Sequence, residues 1–229
     1  MNFLSHYYLD RDVDNPYFTV GVSTPDLVSI FNRRVRLKAN NMPDIKSGEV
    51  SPEQVAFYNG ILQHFEADRI FHTSDFFKEE TELISRRLTT IFGAERISRG
   101  FFVAHVFLEI LLDKILIEHD RSLADTYYRH LNEVGVARSA ELTQWAVQQQ
   151  IPRYLGFFER FVDRQYLYHY ADWQEVIIVL RRILMRVSIH RFEYLHSPRF
   201  LQFAQEYQQE LTGRVFGVMD TFQDELRRK

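Results

Sequence analysis

The chain has 229 residues, a formal charge of −3 and no cysteine, which excludes a disulfide scaffold, thiolate zinc sites and a cysteine nucleophile. Hydrophobic residues make up 45%, enough to bury a sizeable core, so disorder is not expected. The charge gives no overall pull toward nucleic acid, no apolar run approaches the roughly 20 residues of a membrane span, and the first residues do not resemble a signal peptide, so a cytoplasmic setting without nucleic-acid or membrane partners is expected.

Twenty Phe and 12 Tyr against only 9 Gly and 6 Pro favour an all-α, single-domain helical bundle over a turn-rich β fold. Capping patterns then divide the chain. Helices are expected near 2–10, 24–39, 51–72, 74–92, 96–119, 122–134, 139–153, 155–170, 172–195 and 197–226. Thr24-Pro25-Asp26 looks like a cap, a first-turn proline and an acid. Ser51-Pro52-Glu53-Gln54 adds a capping box, and Ser197-Pro198 opens the last helix.

The segment 100–119 is apolar on nearly every side, as befits a helix at the middle of a bundle. Yet His105, Glu109 and Asp113 recur every fourth residue and share one narrow stripe. Lys114 and Glu118 suggest that the Asp113 end of this helix reaches solvent. His64, Asp68 and His72 repeat the spacing on the helix 51–72. Burying such groups costs several kcal/mol unless they are paired or bind a metal. Two facing stripes could surround a divalent cation with nitrogen and oxygen donors. Carboxylate-rich sites favour manganese, iron or magnesium, and imidazole also admits zinc.

These residues carry a likeness to a known family. Met1-Asn2-Phe3-Leu4-Ser5-His6, Gly21 followed by Asp26, Gly60-Ile61 with His64 and Asp68, and His105 with Glu109 together resemble the acyl-carrier-protein phosphodiesterases over roughly the first 120 residues. That resemblance implies an HD-domain-like helical fold and a metal-dependent phosphodiester hydrolase that releases phosphopantetheine from acyl carrier protein. It points to His6, Asp26, His64, Asp68, His105 and Glu109 as metal ligands. The sequence departs from the family pattern at Val22, Phe65, His72, His105, Glu109 and Ile110.

In such a site Asp68 or Glu109 is expected to accept a proton from water, and His72 to protonate the leaving oxygen. Arg33, Arg34, Arg36 and Lys38, expected on the same helix as Asp26, are candidates to hold phosphate or an acidic protein surface. A second basic cluster is Arg181, Arg182, Arg186 and Arg191. The His119-Asp120 dipeptide falls at a helix end, where a histidine favours the dipole. No Walker loop and no GxSxG elbow is present. The competing class is a helical metal-binding or protein-interaction module without turnover.

Overall fold

The computed structural model describes residues 1–35, 37–46, 48–187 and 192–228, and all regular secondary structure among them is helical. In chain order the α-helices are α1 (Phe3–Leu9), α2 (Pro16–Phe31), α3 (Pro52–Thr73), α4 (Asp75–Phe92), α5 (Gly100–His119), α6 (Ser122–Val134), α7 (Val136–Val147), α8 (Tyr154–Arg164), α9 (Trp173–Arg186) and α10 (Pro198–Arg227). Short 3-10 turns cover Ala39–Asn41, Tyr166–Ala171 and Glu193–His196. No described helix is long and apolar enough to cross a membrane.

Several helix starts follow directly from local chemistry. Ser51 caps α3 through both legs of a capping box: Gln54 N donates to Ser51 Oγ at 3.2 Å and Ser51 N donates to Gln54 Oε1 at 3.0 Å. Ser197 caps α10 ahead of Pro198 in the expected way. The start of α2 lies elsewhere. Asn15 accepts from Phe18 N, Pro16 takes the first helical position, and Pro25 falls inside the helix rather than at its head. Pro25 has no N–H for the Gly21 carbonyl. The hydroxyls of Ser23 and Thr24 meanwhile donate to the carbonyls of Thr19 and Val20. The helix expected at 24–39 therefore runs from 16 to 31.

A continuous apolar core extends from Met1 and Phe3 to Leu226. α5 is buried at thirteen of its twenty positions, which accords with its all-round apolar sequence. α2 and α3 cross with their backbones nearly touching. A Cβ on Gly21 would sit 2.1 Å from the Phe57 carbonyl oxygen, and one on Gly60 would sit 2.2 Å from that of Phe18. These two glycines let α2 bring Asp26 close to the His64 face of α3.

α3 and α5 approach through side chains, with His72 meeting His105 and Glu109, and their backbones stay apart over most of their length. The short helix α1 wedges between them, packs on both, and is buried at all seven residues. Asp113 anchors it. Its carboxylate accepts from Leu4 N at 3.1 Å, and from Ser5 N and Ser5 Oγ at 2.7 and 2.5 Å. A carboxylate from α5 thus caps the first turn of α1. Lys114 is likewise inside rather than at a solvated end. Its Nζ donates to Glu118 Oε1 at 2.8 Å and to the Ala171 carbonyl at 2.7 Å, and lies over the Trp173 ring.

Asp10, at the C-terminal end of α1, is a strained charge. Gln63 Nε2 donates to its Oδ1 at 2.7 Å, while its Oδ2 is buried without a partner. Burial raises its carboxyl from 3.8 to about 6, against the pull of Gln63 and Arg227. The folded protein therefore holds a proton that the unfolded chain has released, so stability falls as pH rises from 3.8 to about 6. The cost at neutral pH is about 2–3 kcal/mol. Asp10→Asn is expected to recover most of it at pH 7.5 and little at pH 4, measured by urea denaturation at both. Equal effects at the two pH values would show that Asp10 is charged throughout.

Candidate metal centre

Seven ligand-type side chains from four helices converge: His6 from α1, Asp26 from α2, His64, Asp68 and His72 from α3, and His105 and Glu109 from α5. They form two groups of donor atoms, each within 4.8 Å of one another: His6, Asp26 and His64, and His72, His105 and Glu109. Asp68 lies between them. Its Oδ1 is 3.2 Å from His6 Nε2 and 3.9 Å from His72 Nδ1, and its Oδ2 is 3.7 Å from His64 Nε2.

The inner group is set deep in the fold. His6 and His64 are nearly inaccessible and stack with ring centroids 4.1 Å apart. His64 Nδ1 lies 2.9 Å from the Val22 carbonyl, which can only accept, so Nδ1 carries the hydrogen and Nε2 presents a lone pair toward Asp26 and Asp68. This is the way a carbonyl orients a metal-binding imidazole. His6 Nδ1 has no hydrogen-bond partner, and Nε2 has only the Asp68 carboxylate, 3.2 Å away and poorly aligned. A poorly satisfied buried imidazole of this kind calls for a partner. Burial, and for His64 the neighbouring His6, depress both rings below the usual histidine range, toward the neutral form that ligates metals.

The charges are unbalanced toward the negative. Asp26, 4.0 Å from His64 Nε2, is raised well above the normal carboxyl range, first by burial and then by the charges of Asp68 and Glu109. Burial works the same way on Asp68 and Glu109. It is outweighed by the Met1 ammonium, assisted by His6 and His64 at Asp68 and by His105 and His72 at Glu109, so both carboxyls are held low. The ammonium lies 2.7 Å from Asp68 Oδ1 and 2.9 Å from Glu109 Oε1. Its own affinity for a proton rises to about 11, burial being outweighed by Glu109, Asp68 and Asp26. Two ionised carboxylates and the Asp26 carboxyl around one buried ammonium leave donors for a further cation.

The outer group is more open. His72 Nε2 is 3.1 Å from His105 Nε2 and 3.3 Å from Glu109 Oε1, and His105 Nε2 is 2.9 Å from that same oxygen. Phe77 meets the His72 and His105 rings edge-on, each with centroids 4.9 Å apart.

No family model, curated protein or solved structure matches this chain. The centre is therefore read from its own chemistry. The fit to a divalent ion rests on the convergence of imidazole and carboxyl donors, the His64 Nε2 lone pair aimed inward, and a poorly satisfied His6 ring.

Other nominated residues lie elsewhere. α2 ends at Phe31, so Arg33, Arg34 and Lys38 follow the helix instead of lying on it, and all three are exposed. Arg33 donates to the Arg186 carbonyl at 2.9 Å, and Arg34 faces a hollow it shares with Val35, Ile151 and Arg153. Neither has a hydrogen bond or ion pair to the cluster among the described residues. Arg36, His190 and Arg191 lie outside the described residues. His119 is exposed against Phe216, and Asp120 accepts from Ser122 at the start of α6. The HD dipeptide is a helix junction. His130 is tied to Thr19 and Asp14.

Sequence reasoning missed the Met1 ammonium and the carbonyls of Val22 and Asp68 that orient His64 and His72. Local sequence carries no mark of any of them. Asp113, grouped with the α5 stripe, is a helix anchor; burial lifts its carboxyl to about 6 despite the hydrogen bonds from Ser5 and Leu4.

Proposed function

We propose that the chain is a metal-dependent phosphodiester hydrolase of HD-domain-like architecture, with phosphopantetheinyl acyl carrier protein as the first substrate to test. The supporting observation is the convergence of His6, Asp26 and His64 around the Asp68 carboxylate. These four side chains would hold a divalent ion of the manganese, iron, magnesium or zinc kind. Such an ion, when bound, would supply Lewis acidity to the phosphoryl oxygens and increase the acidity of an attacking water.

The protein's own groups would do the rest. Asp68 and Glu109 are strongly held as anions and so suit ligation better than proton uptake. Asp26, whose carboxyl burial raises, would release its proton on joining the ligand set. His72 gives its Nδ1 hydrogen to the Asp68 carbonyl at 2.7 Å, which leaves Nε2 to ligate a metal or to take up and deliver a proton. In this reading His72 would protonate the leaving oxygen from Nε2. The exposed Arg33, Arg34 and Lys38 remain the basis for an acidic protein partner.

The test is hydrolysis of a chromogenic phosphodiester and of phosphopantetheinyl acyl carrier protein, with each of the four metals added to protein stripped by chelator. Turnover with at least one metal, lost again on chelation, is expected. A fully loaded protein that cleaves neither substrate, nor a panel of nucleotides, would be a binding module instead.

A further inference from the structure

We propose that His72, His105 and Glu109 form a second metal site, separate from the His6–Asp26–His64 site, which takes a borderline first-row cation of the zinc class and shares Asp68 as the group between the two. The inference rests on the reading of this pocket as a metal centre, but its donors are independent of the first three.

The three donor atoms are 3.1, 3.3 and 2.9 Å apart. An ion with bonds of about 2.0–2.2 Å in tetrahedral or octahedral geometry sets its ligands roughly 2.9–3.5 Å apart. The Asp68 carbonyl accepts from His72 Nδ1, so Nε2 is the nitrogen that faces His105 and Glu109. The Glu109 oxygen lies 3.3 Å from it and also accepts from the Met1 ammonium at 2.9 Å. One cation at the centre of the trio would engage all three donor atoms together.

Chemistry and setting favour a particular ion. Two imidazoles and one carboxylate carry one negative charge, leaving a divalent ion net positive toward an anionic diester. Nitrogen-rich triads suit zinc and its neighbours more than magnesium or calcium. Ring orientation is fixed at both histidines by the edge of buried Phe77, and at His72 also by the Asp68 carbonyl. The side chains of His72, His105 and Glu109 are 31, 26 and 18% exposed, against 2 and 4% for His6 and His64. The outer ion would therefore keep positions open to water or substrate and exchange faster than the inner one.

Metal-free protein titrated with zinc, and separately with cobalt(II), tests this by equilibrium dialysis, elemental analysis and the visible cobalt spectrum. Wild type is expected to bind two equivalents, the second more weakly. His105→Ala should keep one equivalent and weaken the other about a hundredfold or more. His64→Ala should keep the outer equivalent, with its nitrogen-rich cobalt spectrum. Glu109→Gln, which preserves shape, repeats the test should His105→Ala fail to fold by circular dichroism. One equivalent in wild type, lost in His64→Ala and kept in both outer-site variants, would overturn the second site and leave the proposed function standing. Binding of no ion at all would overturn both.

Discussion

Gly60→Ala is expected to destabilise the protein by about 3 kcal/mol, close to the upper end of overpacking penalties. Helix propensity acts in the opposite direction, since alanine in a helix interior is favoured over glycine by about 0.5–1 kcal/mol. The contact decides the sign. A Cβ here would lie 2.2 Å from the Phe18 carbonyl oxygen and 2.9 Å from Val22 N, and both are backbone atoms that cannot rotate away. Relief requires α2 and α3 to separate, which would also pull Asp26 from His64. Gly217 in α10 supplies the control, because nothing lies within 4 Å of its added Cβ. Gly217→Ala should therefore be neutral or stabilising by up to about 1 kcal/mol. Urea unfolding of both variants measures this, and a Gly60→Ala protein as stable as wild type would contradict the close crossing.

Asp68→Ala is expected to have the largest effect on metal binding, abolishing tight occupancy rather than halving it. Asp68 faces His6 and His64 on one side and the His72–Glu109 group on the other, with the buried Met1 ammonium against its Oδ1. Its loss leaves that ammonium with Glu109 alone, and breaking a largely buried pair costs about 3 kcal/mol. Metal-free Asp68→Ala should thus unfold at lower urea than wild type, yet remain helical at neutral pH. Elemental analysis after dialysis should find less than a tenth of the wild-type metal. Retention of either ion at wild-type affinity would show that Asp68 does not lie between two sites.

How far the sequence foretold this arrangement varies with the range of the interactions. Ser51, Ser197 and the apolar circumference of α5 are local signals, and each leads to the element expected. The His64–Asp68–His72 and His105–Glu109 spacings also placed those side chains on common faces, and the faces meet. Pro25 misled because proline usually heads a helix. Here it is carried inside one whose actual cap, Asn15, lies ten residues earlier. Asp113 and Lys114 misled for a different reason. Adjacent charges suggest solvent, but the partners that make their burial tolerable are Leu4, Ser5, Tyr170 and Ala171, all remote in sequence. The wedge position of α1 has the same origin and could not be read from seven residues.

The bond from Ser5 N to Asp113 spans 108 positions of chain, and the one from Leu4 N spans 109. α1 is too short to hold a helix in water unaided. It should become ordered only when α5 supplies the carboxylate for its first turn, and closing so long a loop carries an entropic cost that must be met first. α1 would then be among the last elements to settle. His6 would swing into place after the α2–α3 crossing and α5 have formed, so the inner donor set is completed by a late docking event. Metal taken up by a partly folded chain would meet His64 and Asp68 without His6, and the final affinity would emerge with the closing of α1.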